Sequence, residues 1–223
     1  ARRALGLSQF RRGDITAAKQ SFTTLTIANP SQIDNWFSLG CCQMHQQHWT
    51  DAIDSFTRVI ASDHDHSQAW NNMAAIHLHL GNLEAAQHAL KMSARLEFES
   101  WKIWDNLFRV SLRLGDLFEC VLACQRLLEV RGKEAGYAHF LALVDRLPRV
   151  TEGHDNQVSA LFKAIDCLVG WMDKLFVEDH DYLWLKSEYL LLKGDTTGRL
   201  ECCLQRHKLL VSLGDYSSKI LDA

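Results

Sequence analysis

The chain has 223 residues, of which 47% are hydrophobic and 23% charged, and its formal net charge at pH 7 is −3. An ordinary apolar fraction with so small a net charge excludes intrinsic disorder, and the length allows a sizeable core. Only 2 prolines and 12 glycines are present, which favours helices over an all-β fold with its many turns. No apolar run reaches the roughly 18 residues of a membrane span, so we expect no membrane partner.

The cysteine pattern bears on the cellular compartment. Seven cysteines, with Cys41–Cys42 and Cys202–Cys203 as adjacent pairs, form an odd set unlike a secreted disulfide framework. The segment that starts at Ala1 also lacks the apolar stretch of a signal peptide. We therefore expect a reducing compartment, namely the cytoplasm, the nucleus or both.

Residue types recur every 34 positions in the first part of the chain. Trp36, Trp70 and Trp104 have this spacing, and so do Gly81 and Gly115. Gln47 and Gly13 extend the glycine positions backwards at the same spacing. We call each such set of residues, 34 positions apart, a column. The other columns are Ala18, Ala52, Ala86 and Cys120; Phe22, Phe56, Leu90 and Cys124; and Asp14, His48, Asn82 and Asp116. A fixed period of this length indicates a repeat architecture, in which each unit stacks on its neighbours.

Each period predicts two amphipathic helices joined by a tight turn. In the third period, the first helix is expected over Ser67–Leu80, because its apolar residues recur with helical spacing. Gly81 and the asparagine after it tolerate the left-handed conformation that ends a helix. The second helix is expected over Leu83–Leu96, with Ala86 and Leu90 packed inward.

Beyond residue 134 the period fades, while helical patterns continue. Helices are predicted at Glu134–Leu147, Val158–Val177, Tyr182–Lys193 and Gly198–Leu213, with a polar loop at Arg149–Asn156. We predict four regular repeats over residues 1–134 and a degenerate helical continuation over residues 135–223. Since the first repeat begins without a polar capping helix, we also expect the chain to be part of a longer solenoid.

The columns resemble the tetratricopeptide repeat family, whose pattern is Trp, Leu-Gly, a helix break at Gly-Asp, then Ala, an aromatic residue and Pro. The matching residues are Leu5, Gly6, Gly13, Asp14, Ala18, Phe22 and Pro30; Trp36, Leu39, Gly40, Ala52 and Phe56; Trp70, Gly81 and Ala86; and Trp104, Leu107, Gly115 and Asp116. The sequence departs from the pattern at Arg2, in place of a tryptophan, and at Phe108, in place of a small residue. The resemblance implies an all-α, right-handed α-solenoid of helix-turn-helix repeats, and nothing specific about chemistry.

A narrower resemblance, strongest over residues 69–131, is to one eukaryotic member of the family with a C-terminal repeat array. Its motifs are Ala69–Ile76 and Phe98–Asn106, followed by Leu127–Arg131 and Tyr182–Trp184. This resemblance implies a chaperone-linked assembly factor for spliceosomal small nuclear ribonucleoproteins. Chaperones or spliceosomal assembly proteins would then be the partners.

The cysteines and histidines favour core packing over metal binding. Cys120 and Cys124 occupy columns that hold Ala and Phe in other repeats, and a buried cysteine acts as a small hydrophobe. The paired histidines are His77 and His79, which face apart at i and i+2 on a helix, and His64 and His66 in a loop. No phosphate loop, nucleophile elbow or metalloprotease motif is present. We therefore expect no metal, no cofactor and no catalysis.

The resemblance places the first helix of each repeat along a concave groove. By phase from the tryptophan column, its exposed positions are Arg3, Leu7 and Arg11; Asp34, Phe37, Ser38, Cys41 and His45; Gln68, Asn71, Asn72, Ala75 and His79; and Lys102, Asp105, Asn106, Arg109 and Arg113. Asn72 and Asn106 share one phase, and an amide there can bond to the backbone of an extended peptide, as family members do. Arg109 and Arg113 lie four residues apart and suit carboxylates.

We predict that these groove positions bind a protein segment, either an extended peptide or a helix. The predicted partner-binding residues are Asn72, Asn106, Arg109, Arg113, Lys102, Asn71, Phe37, His45 and His79. The alternative is that they are solvated side chains of a helix face. Nucleic acid is disfavoured by the net charge of −3, despite Arg2–Arg3 and Arg11–Arg12.

Three functions stay open at this point. The first is a non-catalytic adaptor in ribonucleoprotein assembly. The second is a co-chaperone that clamps acidic C-terminal tails of heat-shock chaperones; its clamp is incomplete, because Phe37 stands where a basic residue is expected and Cys41 where an asparagine is expected. The third is a substrate-positioning region of a larger enzyme.

Overall fold

The computed structural model describes residues 2–135, 137–147, 155–177 and 179–212. Twelve α-helices lie in these ranges, and no strand does. The helices group into two compact units that divide after Leu114. The expected all-α solenoid is confirmed, whereas its right-handed turn and the division of repeats at residue 134 stay predictions.

The first unit consists of three helical hairpins and a seventh helix. Its helices are α1 (Arg2–Arg11), α2 (Ile15–Ala28), α3 (Ile33–His45), α4 (Trp49–Ser62), α5 (Ser67–His79), α6 (Leu83–Leu96) and α7 (Trp101–Leu114). α1 packs on α2, α3 on α4 and α5 on α6, and each second helix also contacts the first helix of the next pair. The hairpin predicted from the third period is therefore confirmed, with α5 one residue shorter than expected.

Glycine allows the two helices of the first and second hairpins to approach closely. A Cβ atom built on Gly40 would lie 2.8 Å from the ring of Phe56, and one on Gly6 would lie 2.9 Å from the ring of Phe22. Both rings are buried. The Leu-Gly motif and the later aromatic residue are therefore two halves of one packing contact.

The three tryptophans of the 34-residue column make the same hydrogen bond. Each indole N–H donates to the backbone carbonyl six residues earlier: Trp36 to Pro30 at 2.8 Å, Trp70 to His64 at 2.9 Å and Trp104 to Phe98 at 2.8 Å. These carbonyls lie in the loops between one hairpin and the next. The tryptophan thus holds the preceding loop against the helix that follows it.

The turns inside the hairpins use the left-handed backbone region. Gly13 and Gly81 have φ angles of 85° and 79°, and Gln47, at the same position of the second hairpin, has a φ angle of 61°. Glycine adopts this region without steric penalty, whereas glutamine does not. Asp14 also accepts the backbone N–H of Ala17 and so caps α2.

The second unit contains α8 (Leu117–Arg131), α9 (Ala138–Val144), α10 (Asp155–Leu175), α11 (His180–Lys193) and α12 (Thr196–Ser212). The predicted helix at Glu134–Leu147 is wrong at its start. A 3₁₀ segment spans Gly132–Ala135 instead, and Gly132, with a φ angle of 55°, ends α8. The repeat register predicted beyond residue 134 stays a prediction.

The polar loop predicted at Arg149–Asn156 lies, up to residue 154, outside the described residues. α10 already begins at Asp155 rather than at Val158.

Two copies of one polar cluster join α10 to α11. Asp173 accepts hydrogen bonds from the Tyr182 hydroxyl at 2.8 Å and from the Lys186 ammonium at 2.7 Å. Seven residues earlier on α10, Asp166 accepts bonds from Tyr189 and Lys193, both at 2.8 Å. The order of the partners is reversed along α11, so the two helices run antiparallel. Burial and the neighbouring carboxylate raise the pKa of both tyrosines, which therefore stay protonated donors.

Candidate functional site

The predicted binding residues lie on helices that are neighbours in the first unit. α1 contacts α3, α3 contacts α5, and α6 joins α5 to α7. We call the positions of these first helices that the tryptophan phase predicts to line the groove the first-helix face; all of them are exposed or half-buried. It consists of Arg3, Leu7, Arg11, Asp34, Phe37, Ser38, Cys41, His45, Gln68, Asn71, Asn72, Ala75, His79, Lys102, Asp105, Asn106, Arg109 and Arg113.

Two polar contacts link neighbouring helices of this face. The Arg3 guanidinium lies 2.7 Å from the Asp34 carboxylate and joins α1 to α3. The Asn72 side-chain amide donates to Cys41 Sγ at 3.7 Å and joins α3 to α5. Burial raises the pKa of the Cys41 thiol to about 12, so it stays protonated at neutral pH. Asn72 and the adjacent Asn71 are half-buried, which makes the centre of the face polar and uncharged.

α7 carries the basic end of the face. The Arg109 side chain is 73% exposed and lies 2.9 Å from the Asp105 carboxylate, one helical turn earlier. Arg109 is therefore an ion-paired group rather than the free donor that the sequence suggested. The Lys102 ammonium lies 5.9 Å from the centre of the Trp101 ring, and Asn106 and Arg113 are exposed.

Phe37 packs against its own hairpin and the next one. Its ring centre lies 5.7 Å from that of Phe56 and 4.8 Å from that of His66. His66 itself accepts the backbone N–H of Ala69 at 3.2 Å and caps α5. A packed aromatic ring thus occupies the position at which the sequence resemblance led us to expect a basic residue in a carboxylate clamp.

Four residues at corresponding positions form a row at the C-terminal ends of the first helices. This row, which we call the C-terminal row, consists of Arg11, His45, His79 and Arg113, and all four are exposed. The His45 ring meets Phe10 edge-on, with centres 6.1 Å apart, and the His79 ring lies 4.3 Å from that of Trp49. The two imidazoles are therefore held by aromatic neighbours.

His64, Cys120 and Cys124 pack against neighbouring side chains or lie in the core. His64 meets the Trp70 ring edge-on at 5.5 Å. Cys120 and Cys124 are buried, and burial raises the pKa of each thiol to about 12. Among the described residues, no three His, Cys, Asp or Glu side chains are grouped as metal ligands would be. That no metal or cofactor is bound stays a prediction.

Among the helices that the structure describes, none is both long enough and apolar enough to cross a bilayer.

A hydrogen-bonded pair of side chains recurs after 34 residues inside the first two hairpins, and the sequence analysis did not predict it. The Ser21 hydroxyl donates to Gln9 at 2.8 Å, and the Ser55 hydroxyl donates to Gln43 at 2.6 Å. The third hairpin has His77 and Ala89 at these positions, and His77 Nδ1 is buried with no hydrogen-bond partner among the described residues. The signal was available in the sequence, since both members of the pair recur at the repeat spacing.

Comparison with known proteins agrees with this architecture. Two family models described as tetratricopeptide repeat match residues 3–61 and residues 55–88. No curated protein matches the chain.

Several solved structures share the fold at low sequence identity. A tetratricopeptide repeat protein from Parabacteroides merdae is 13% identical, with a TM-score of 0.60 over 95% of this chain and 85% of that one. MamA is 15% identical, with a TM-score of 0.57 over 76% of this chain and 95% of that one. PilF from Pseudomonas aeruginosa is 19% identical, with a TM-score of 0.53 over 97% of this chain and 94% of that one. These comparisons support the tetratricopeptide repeat family for residues 3–88, and they show an all-α solenoid as the fold of the chain.

Proposed function

We propose that the protein is a non-catalytic scaffold that binds a segment of another protein on its first-helix face. The observation that carries this proposal is a division of labour within each repeat. The recurring columns, such as Trp70 and Ala86, are buried and hold the hairpins together. Most face positions differ from repeat to repeat, and they leave amide and basic groups exposed, as at Asn106 and Arg113.

The chemistry of the face suits an extended peptide backbone. Side-chain amides both donate and accept hydrogen bonds, so they can pair with backbone groups whatever side chains the ligand carries. Asn72 is half-buried and contacts Cys41, which restricts its rotamers before a ligand arrives. A preorganised side chain loses less conformational entropy on binding, and this favours affinity.

The proposal is tested by selecting extended peptides from a random display library against the whole chain. We expect the selected peptides to bind Asn72→Ala/Asn106→Ala at least about tenfold more weakly, because each lost amide bond to a backbone group removes roughly 1 kcal/mol. The matched control is Gln20→Ala/Thr57→Ala, at exposed positions of the second helices α2 and α4. Equal binding by all three proteins, or failure to select any peptide, would argue against the face.

The resemblance of residues 69–76 and 98–106 to tetratricopeptide repeat protein 27 supports a finer proposal. On that basis the bound partners are chaperones or assembly proteins of spliceosomal ribonucleoproteins, and the protein works in the cytoplasm, the nucleus or both. Affinity purification of the full-length protein tests this proposal. Recovery of neither spliceosomal nor chaperone proteins would refute it.

The alternative of a chaperone-tail clamp rests on Asn72 and Asn106 alone. Its basic position is filled by Phe37, packed on Phe56, and Arg109 is paired with Asp105. If the clamp operates, a free acidic C-terminal peptide binds the protein, and Arg109→Glu abolishes binding. A role in positioning substrates for a larger enzyme would require a catalytic domain in the same polypeptide, which the full-length sequence would show.

A further inference from the structure

The first-helix face is basic, although the whole chain is slightly acidic. It carries five Lys or Arg side chains against two Asp, whereas the chain has 24 basic and 27 acidic residues. Both aspartates are compensated within the face, because Asp34 pairs with Arg3 and Asp105 pairs with Arg109. Lys102 and the arginines of the C-terminal row are left over.

The basic charge of the face is divided between its two ends. Arg11 lies on α1, and Lys102 and Arg113 lie on α7, and no ion pair joins any of the three to a residue that the structure describes. Between them, the face of α3 and α5 carries amide, hydroxyl, thiol and imidazole groups, the Phe37 ring, and the Asp34 carboxylate that is paired with Arg3. The face therefore has Lys or Arg side chains at two separate ends and a hydrogen-bonding centre without them.

The separation of the two ends follows from helix packing. Neighbouring packed helices lie about 8–10 Å apart, so the three steps from α1 to α7 span roughly 24–30 Å. An extended chain advances about 3.3–3.6 Å per residue. Arg11 and Arg113 are therefore about eight residues of an extended ligand apart.

We infer that the first-helix face recognises an internal segment with two acidic clusters about eight residues apart, joined by uncharged residues. This inference rests on the proposed function and adds the chemistry of the partner. The carboxylates of each cluster pair with an arginine of the C-terminal row, and the joining residues cross the same row at His45 and His79. A free C-terminal carboxylate is not required, since Phe37 occupies the position that would bind one.

A purely structural role for the same arginines makes a different prediction. A basic residue in the last turn of a helix stabilises the helix by interacting with its dipole. Arg11 and Arg113 both lie in last turns, and so does Arg95 on α6, a second helix. If the arginines act only on the helix dipole, substitutions at Arg113 and Arg95 lower the stability of the protein equally. If they bind the ligand, substitution of Arg113 weakens binding and substitution of Arg95 does not.

The test measures binding of fluorescent peptides to the whole chain at low salt. The first peptide carries two Glu triplets separated by five Ser or Gly residues, with both termini blocked. The second has the same composition with its six Glu residues contiguous, and the third has Gln in place of Glu. Single-stranded RNA of similar length provides a fourth ligand.

We expect the first peptide to bind at least about fivefold more tightly than the second and more tightly than the RNA. The double variant Arg11→Gln/Arg113→Gln weakens the binding of the first peptide by at least about tenfold, and Arg113→Gln alone weakens it by at least about threefold. Arg95→Gln changes this binding by less than about twofold. Thermal melting by circular dichroism confirms that each variant is folded.

Each of the following outcomes would overturn the inference. Equal binding of the first two peptides would show that two separate acidic clusters are not required. If Arg95→Gln weakened binding as much as Arg113→Gln, the attraction would be general and electrostatic. Tighter binding of the RNA would favour a nucleic acid as the partner. If library-selected neutral peptides bind the face and acidic ones do not, the inference fails while the proposed function stands. If no peptide of any composition binds, both fail.

Discussion

The indole nitrogen of Trp70 lies 2.9 Å from the backbone carbonyl oxygen of His64, and donates a hydrogen bond to it. Trp70 is 9% exposed, so water has little access to this bond. The tryptophan column therefore does more than occupy space between hairpins, because each indole also bonds a carbonyl of the preceding loop. The other large apolar residues cannot donate such a bond.

Trp70→Phe tests this hydrogen bond. We expect the free energy of unfolding to fall by about 2 kcal/mol, because the His64 carbonyl loses its donor and the smaller ring leaves a void. Urea denaturation followed by circular dichroism measures the change. Trp184→Phe, at a tryptophan that is 44% exposed, is the control and should cost less than about 0.5 kcal/mol. A similar loss at both sites would contradict the assigned role.

The hairpins could be predicted from the sequence because their packing residues recur with the repeat. The bounds of α6 follow from the turn at Gly81 and the apolar positions after it, and these local rules need no knowledge of neighbours. The bond from Trp70 to His64 could not be predicted in this way, since it depends on the path of a loop. The helix after α8 was predicted to start too early, at Glu134 rather than at Ala138, for a related reason: Gly132 is followed by no strong turn motif.

The candidate site was predictable in its positions but not in its contacts. The phase of the tryptophan column placed Asn72 and Arg109 on exposed first helices, as the structure does. The pairing of Arg109 with Asp105 was implicit in their i,i+4 spacing. The packing of Phe37 on His66 was not, because it joins side chains 29 positions apart through the start of the next helix.

Gln47 adopts a backbone conformation that the other hairpin turns reserve for glycine. A side chain in the left-handed region costs roughly 1–2 kcal/mol, so we expect Gln47→Gly to stabilise the protein by about 1 kcal/mol. Gly81→Ala, the reverse change in the next hairpin, should destabilise it by a similar amount. Thermal denaturation measures both variants, and destabilisation by Gln47→Gly would show that its side chain makes contacts that outweigh the strain.

The contact between Gly40 and Phe56 predicts a compensating pair of substitutions. Gly40→Ala places a methyl group 2.8 Å from the Phe56 ring, and such overpacking costs about 1–3 kcal/mol. The third hairpin avoids this clash with Ala74 and Leu90, which are both buried. We therefore expect Gly40→Ala/Phe56→Leu to lose less stability than the sum of the two single variants. A double-mutant cycle from urea denaturation measures the coupling, and strict additivity would refute it.

His77 combines a missing partner with a titratable side chain. The corresponding pairs are Gln9 with Ser21 and Gln43 with Ser55, so His77→Gln/Ala89→Ser should restore the bond between α5 and α6. We expect this double variant to gain about 1 kcal/mol of stability at neutral pH, since the unpaired imidazole nitrogen is replaced by an amide oxygen that accepts the serine hydroxyl. Either single variant should gain less, because each supplies only one half of the pair.

The same site predicts a dependence of stability on pH. Burial lowers the pKa of His77 below its ordinary value of 6.5, so below that pH the unfolded chain binds a proton that the folded chain does not. Stability therefore falls as the pH drops through about 6.5, and this contribution vanishes above it. Urea denaturation between about pH 7.5 and pH 5 should show a smaller decline for His77→Gln/Ala89→Ser than for the native protein. His88→Gln, at an exposed histidine of α6, is the matched control; if it flattens the pH profile as much as the double variant does, the decline does not arise from His77.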